Sequence, residues 1–278
     1  MLNDRSLTMI ARNVTQPSNY IALARAAQVY EHPLTAMSRY FRGGGDYPCA
    51  ARVRTPIGLK DVTLFNSHDA ITLHEIFCRG DYDCPSPQVV IDIGANIGIS
   101  ALYFLTRSRT TRCELYEPDP NNLAKLSKNL KGYEDRFVVH EAAVADRQGV
   151  LAFTREPTGR YGTLETDSWL WDSPMTEKIK VHVEHVNTVL ESAVARHGAI
   201  DLLKIDTEGS ELATLQAIDP SLLSHIRHIV IEWPDNQAKL EGFQATRSCN
   251  TIMFRNTLST HRLCQGAVGS IHGSGLPR

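Results

Sequence analysis

The sequence predicts an α/β fold: a mainly parallel sheet with helices on both faces. Two observations lead there. From residue 89 onward, short apolar runs alternate with stretches of helical periodicity, the pattern of strand–helix–strand crossovers. The apolar share, 42% of 278 residues against 22% charged, is enough to fill a sizeable core between such layers. At about 100–200 residues per domain, the length allows one large domain with an appendage.

Residues 19–31 place Tyr20, Ala24, Ala27 and Tyr30 at helical spacing. Pro33 suits the first turn of a second short helix, which ends near Arg42 where Gly43, Gly44 and Gly45 follow. Residues 1–50 are therefore expected to form a helical extension. Residues 51–66 look like two short strands around a Pro56–Gly58 turn, residues 70–78 like a helix leading to Gly80, and residues 83–88, with two prolines, like a loop. The regular part follows: strand 89–93, a glycine turn, helix 100–108, strand 114–116, helix 120–129, strand 136–140, strand 200–205, helix 210–218 and strand 228–231. Residues 154–183 interrupt it and resemble a loop or lid running into a strand, 179–185. Residues 51–258 would form the main domain. Residues 259–278, Gly- and Ser-rich, offer little apolar surface against ordering entropy and are expected to be a flexible tail.

A net charge of −2, from 29 basic and 31 acidic residues, argues against nucleic acid as a partner. No run of 18 apolar residues predicts a membrane span, and the N-terminus lacks the apolar stretch of a secretory signal. Six scattered cysteines, without a CxxC pair or zinc-ligand spacing, fit the reduced thiols of a cytoplasmic protein.

The first regular strand ends in Asp92-Ile-Gly94-Ala-Asn96-Ile-Gly98-Ile-Ser100. Glycine after a parallel strand lets a ligand approach the backbone, and the following helix directs free N–H groups at it. The GxGxxG fingerprint of hydride-transfer enzymes fails, because Asn96 and Ile99 stand where two of its glycines belong. No GxxxxGK[ST] loop exists. An acid before the turn, Asp92, suits a ligand carrying a positive amine, such as the methionine end of S-adenosylmethionine; the alternative is a tight turn with no ligand. Glu117, 19 residues after Gly98, could accept both hydroxyls of a ribose. Glu141, Ala142 and Ala143 follow the third strand and could border an adenine ring or form a plain turn.

The densest cluster is DLLKIDTEGSE, residues 201–211. Strand alternation puts Lys204 and Asp206 on one side of their strand, and a buried charged pair is costly unless paired or functional. Asp206 ends that strand, on the edge where open α/β sheets bind ligands. Glu208 and Glu211 could act chemically or favour the dipole of the next helix. Glu232 and Trp233 follow the fifth strand on the same edge, and His140 and His185 fall at strand ends. The set Asp206, Glu208, Glu211 and Glu232 could alternatively hold Mg²⁺ or Ca²⁺, though no metal is assigned.

The runs VVIDIGANIGISAL, YEPDPNNLAKLSKNL and DLLKIDTEGSE together resemble the FkbM-type methyltransferases, from about Arg52 to Asn256, where GFQATRSCNTIMFRN looks like the closing strand pair. The resemblance implies a class I, Rossmann-like methyltransferase fold with S-adenosylmethionine as cofactor, and O-methylation of a natural product or sugar. It places the cofactor on Asp92, Gly94, Asn96, Gly98 and Glu117, with Asp206 near the transferred methyl. One position departs: Asn187, in VNTVL, stands where the family usually carries Asp. A substrate oxygen would attack the methyl carbon in line, its proton passing to Asp206, else to Glu232 or Glu208, else to His140. Lys204 would hold Asp206 ionised or orient substrate. The rival expectations are an amine acceptor and a non-catalytic cofactor-binding scaffold. The partner expected is a small molecule, with no membrane; the N-terminal helices could cap the crevice or build a homodimer.

Overall fold

The computed structural model describes residues 17–43, 45–84, 86–159, 161–164, 176–232, 238–248 and 251–257. Helices α1 (Pro17–Val29) and α2 (Pro33–Arg42) come first. Of the stripe expected on α1, Tyr20, Ala24 and Ala27 are exposed, and the buried line is Ala22, Ala26 and Tyr30. Alanines four residues apart on one face let the helix backbone sit close to its neighbour. Pro33 occupies the first turn of α2, and Gly43 ends it in the left-handed region at φ 61°.

β1 (Cys49–Thr55) and β2 (Gly58–Leu64) form an antiparallel hairpin. Asn66 caps α3 (Ser67–His74) in a reciprocal box with Asp69. The helix then widens into a π turn, Glu75–Arg79, which stops at Gly80. Such widened turns carry side chains out of α register and recur at functional sites; here the turn delivers Tyr82 to the sheet edge.

Then come β3 (Val89–Ile93), α4 (Ile99–Leu105), β4 (Arg112–Tyr116), α5 (Pro120–Asn129), β5 (Phe137–His140), β6 (Ala143–Ala145), β7 (Gly149–Arg155), β8 (Gly162–Leu164), β9 (Glu177–His185), α6 (Val186–His197), β10 (Ile200–Ile205), α7 (Glu211–Gln216), α8 (Pro220–Leu223), β11 (Ile226–Glu232), β12 (Phe243–Ser248) and β13 (Thr251–Asn256). The main sheet has the order β12-β13-β11-β10-β3-β4-β5. β11, β10, β3, β4 and β5 are parallel neighbours, while β13 runs antiparallel between β11 and β12, giving the closing pair. The fold is thus the expected Rossmann-like α/β sheet with an antiparallel closing pair. The chain leaves β3 toward β4 on one side and returns to β10 on the other, so the crevice between β3 and β10 is the switch point where such sheets bind ligands.

Strand alternation divides the core into two. Val90, Leu115, Leu202 and Val230 face Leu73, Phe104 and Leu126. Ile91, Ile93, Leu203 and Ile205 face Val189, Leu190 and Leu215 on the other side.

The stretch expected as a loop or lid contributes most of a second sheet, ordered β6-β9-β7-β8, with its own small core of Ala145, Phe153, Leu164, Val181 and Val183. The strand expected at 179–185 is the end of β9, while β6 and β8, at three residues each, are too short to show a period in sequence. Residues 165–175, Trp233 and the tail expected to be flexible lie outside the described residues.

Candidate active site

The turn after β3 is shaped by close packing against β10. Asp206 N donates to the Ile93 carbonyl (3.1 Å), which brings the end of β10 onto the turn. A Cβ at Gly94 would lie 1.8 Å from the Asp206 carbonyl oxygen, so no other residue fits. Asn96 takes a left-handed conformation, φ 48°, and its N–H donates to Glu117 Oε2 at 2.8 Å. Gly98, at φ 83°, turns the chain into α4.

Parallel register sets Lys204 directly beside Asp92. Both are buried, and Lys204 Nζ pairs with Asp92 Oδ1 at 2.9 Å and with Asp206 Oδ2 at 3.4 Å, and donates to the Gly94 carbonyl at 2.9 Å. Burial alone would depress its pKa, but the carboxylates of Asp92 and Asp206 outweigh that and hold it above the ordinary lysine range. The second Asp92 oxygen accepts from Ser100 Oγ at 2.6 Å. Asp92 is fully buried and does not line the clefts described next: it works beneath the turn, anchoring Lys204 and α4. Tyr82, which the sequence did not single out, places its hydroxyl 3.0 Å from Asp206 Oδ2 and 3.0 Å from Glu232 Oε2. Burial, then the neighbouring Asp206, pushes Glu232 well above the usual carboxyl range.

Two clefts meet at this turn and share Gly94, Asn96, Asp206 and Glu208. The first, about 600 Å³, runs to Glu117 and is walled by Ala143, Val144, Phe153 and Leu164, so the second sheet supplies its apolar side. The second, about 740 Å³, lies under the π turn and is lined by Thr72, Tyr82, Ser100, Lys204 and Glu232. Both are large enough for a small organic ligand. Glu117 is 5% exposed and accepts from the N–H groups of Asn96 and Asp119. Burial pushes its pKa up to about 7 against the pull of those bonds. The loop between β7 and β8 is latched down: the Gly159 carbonyl accepts from Asn122 Nδ2 at 2.9 Å, and Arg155 pairs with Asp119.

Several candidates lie elsewhere. His140 stacks on Tyr116 (4.3 Å between centroids) and pairs with Glu114 at 3.5 Å, outside both clefts. Glu141 is exposed and Ala142 buried, and the cleft wall at that strand end is Ala143 and Val144 instead. Glu211 accepts from the N–H groups of Thr207 and Gly209, which is capping. His185 accepts from Asn187 N as the N-cap of α6. Asn187 ties α6 to the α7–α8 loop, donating to the Ala217 carbonyl and accepting from Asp219 N. Among the described residues no group of three His, Cys, Asp or Glu side chains forms a metal-binding set. No helix among them is long and apolar enough to cross a membrane.

Comparison with known proteins gives a match between residues 92–252 and the family described as the methyltransferase FkbM domain. The chain is similar to the AMB antimetabolite synthetase AmbE of Pseudomonas aeruginosa (26% identity, 65% of this chain and 10% of AmbE). It is also similar to the 31-O-demethyl-FK506 methyltransferase FkbM of Streptomyces tacrolimicus (30% identity, 53% of this chain and 66% of that protein). The 2-O-methyltransferase NoeI of Sinorhizobium fredii is 29% identical over 55% of this chain and 65% of its own length. In each case the chain spans under two thirds of the relative's length.

Proposed function

This chain belongs to the FkbM methyltransferase domain family, and from that premise we propose that it moves a methyl group from S-adenosylmethionine to a hydroxyl of a small molecule such as a natural product or sugar. The observation that carries the reading is the position of Asp206 where the two clefts join, with Oδ2 held by Lys204 and Tyr82. The cofactor is supported by the fit of the first cleft: a glycine turn with no room for a side chain, a buried acid at the end of the next strand, and apolar walls opposite. Glu117 would hold ribose hydroxyls; Ala143, Val144, Phe153 and Leu164 would face the base; and Gly94, Asn96 and Asp206 would meet the methionine end.

When bound, the cofactor supplies an electrophilic methyl carbon whose leaving group is a neutral thioether. The protein's task is then orientation and the proton. Asp206 lines both clefts with Oδ2 engaged, which leaves Oδ1 to take the proton of the acceptor hydroxyl as the hydroxyl oxygen forms its bond to the methyl carbon and the thioether leaves. Lys204 stays charged and pins the carboxylate. Oxygen as the acceptor atom is supported by the O-methyl products named for two relatives, FkbM and NoeI.

The test is a radiolabelled methyl-transfer screen of alditols, monosaccharides and macrolide alcohols, with amines as comparators. With the best acceptor, Asp206→Asn should lose about 10²–10⁴-fold in kcat, while S-adenosylhomocysteine affinity by calorimetry stays within about tenfold. Wild-type turnover in the variant, or no binding of that product by the wild-type protein, would overturn the reading.

A further inference from the structure

The Tyr82 hydroxyl lies at 3.0 Å from two carboxyl groups that come from different strands, Asp206 after β10 and Glu232 at the end of β11. A phenol has one proton to donate. Two hydrogen bonds at this oxygen therefore need a second proton, and one of the two carboxyl groups must carry it. Lys204 Nζ is 3.4 Å from the same Asp206 oxygen that Tyr82 meets, so Asp206 is the ionised member and Glu232 the protonated one. The Tyr82 hydroxyl then donates to Asp206 Oδ2, and the Glu232 proton is shared with the Tyr82 oxygen and with Asp206, to which Glu232 is also hydrogen-bonded.

Resting on the methyl-transfer reading above, we propose that Tyr82 is a positioning residue for that reaction: backed by a protonated Glu232, it fixes Asp206 Oδ2 and so aims Oδ1 at the acceptor. Glu232 is then no rival base, because it already holds its proton. The surroundings agree. The other charged groups facing this chain are Lys204 and Asp92 from the sheet, Glu75 from the π turn, and Glu208 and Glu211 beyond β10. Lys204 is the cation among them, and it is taken up by Asp92 and Asp206. Tyr82 is 4% exposed and packs beside Phe104, with the Lys204 ammonium 5.4 Å above its ring, and its hydroxyl lies on the two carboxyl groups. Burial and these two carboxyl groups push the phenol well above its ordinary pKa, which keeps it a donor across the working range.

Infrared difference spectroscopy of the full chain tests this without an acceptor. At pH 9, where Glu117 has lost its proton, a protonated-carboxyl stretch should remain in the wild-type protein, vanish in Glu232→Gln, and change frequency in Tyr82→Phe, which deletes only the hydroxyl. In the methyl-transfer assay, with the best acceptor of the screen, Tyr82→Phe should lose about tenfold in kcat, with KM for S-adenosylmethionine within twofold. Its acid limb should also move up by about one pH unit, since the lost donor favoured the charged carboxylate. No such stretch, a stretch indifferent to Tyr82→Phe, or unchanged kcat with an unmoved acid limb would overturn the proposal. Failure of the methyl-transfer reading shows separately, as absent S-adenosylhomocysteine binding in the wild-type protein.

Discussion

Two glutamates three positions apart, Glu114 within β4 and Glu117 just beyond it, are both nearly inaccessible to water yet meet opposite fates. Glu114 is ringed by His140, His197 and Arg196. Burial would raise its pKa, but bonds to these three groups bring it down to about 2. Glu117 receives only backbone N–H groups and a distant Asn122 amide, and burial wins, lifting it to about 7. The difference separates an acid whose charge is met inside the fold from one whose charge is not. A carboxylate compensated by cations inside the protein has no call on a ligand. One left with N–H donors alone, in a cleft, gains by accepting two more hydroxyls.

The largest effect should come from breaking the compensated member. Glu114→Ala leaves three basic groups facing one another and should cost about 2–3 kcal/mol of stability. That is below the penalty for a fully buried pair, because Arg196 is half exposed and water can reach its charge. Urea unfolding measures it, and S-adenosylhomocysteine affinity in the folded variant should not change. A loss of affinity with intact stability would reverse the roles assigned to the two acids.

Glu117→Gln is the mirror experiment. It should lower S-adenosylhomocysteine affinity about 10–100-fold while leaving stability at pH 8 within about 1 kcal/mol, since removing a buried charge offsets the lost acceptor strength. The wild-type protein should also lose about tenfold in affinity between pH 8 and pH 6 as Glu117 takes up its proton, and the variant should lose this dependence. The stability sign runs the other way. A raised folded-state pKa means that protonated Glu117 favours the folded chain, so its contribution is present at low pH and fades as pH rises toward about 7.

How far the sequence showed this depends on whether a feature is local. The Gly94 turn and the run ending at Asp206 lie within short segments and meet at the crevice between β3 and β10, while Gly98 packs against Leu126 and Leu130 instead. Tyr82 could not be found that way. It sits 124 residues from Asp206 and 150 from Glu232, in a short stretch after a π turn whose altered pitch no helical period predicts. His140 shows the converse. Falling at a strand end is not enough, because the side chain points along its own pleat, and the Tyr116–His140 register turns it to Glu114 rather than toward Asp206. Asp92 is expected from the sequence to meet a ligand's amine, but it is buried beneath the turn, and only the β3–β10 register shows that Lys204 takes its charge. In the second sheet β9 is legible from the run 179–185, whereas β6 and β8 are three residues each, too short to show a period of two.

The smallest change tests whether Glu114 is compensated by a set of groups or by one. Arg196 offers two guanidinium nitrogens to that carboxylate, but its side chain is 49% exposed, so water can replace much of what it gives. Arg196→Ala should therefore cost only about 0.5–1 kcal/mol, with His197 at 2.7 Å and His140 still in place. The pH profile is the sharper readout. A carboxylate held low contributes stability that is present above its unfolded pKa and is lost as pH falls toward about 2. Without Arg196 that loss should begin at a higher pH. If Arg196→Ala instead costs as much as Glu114→Ala, the compensation rests on a single pair, and the contrast with Glu117 reduces to the presence or absence of one arginine.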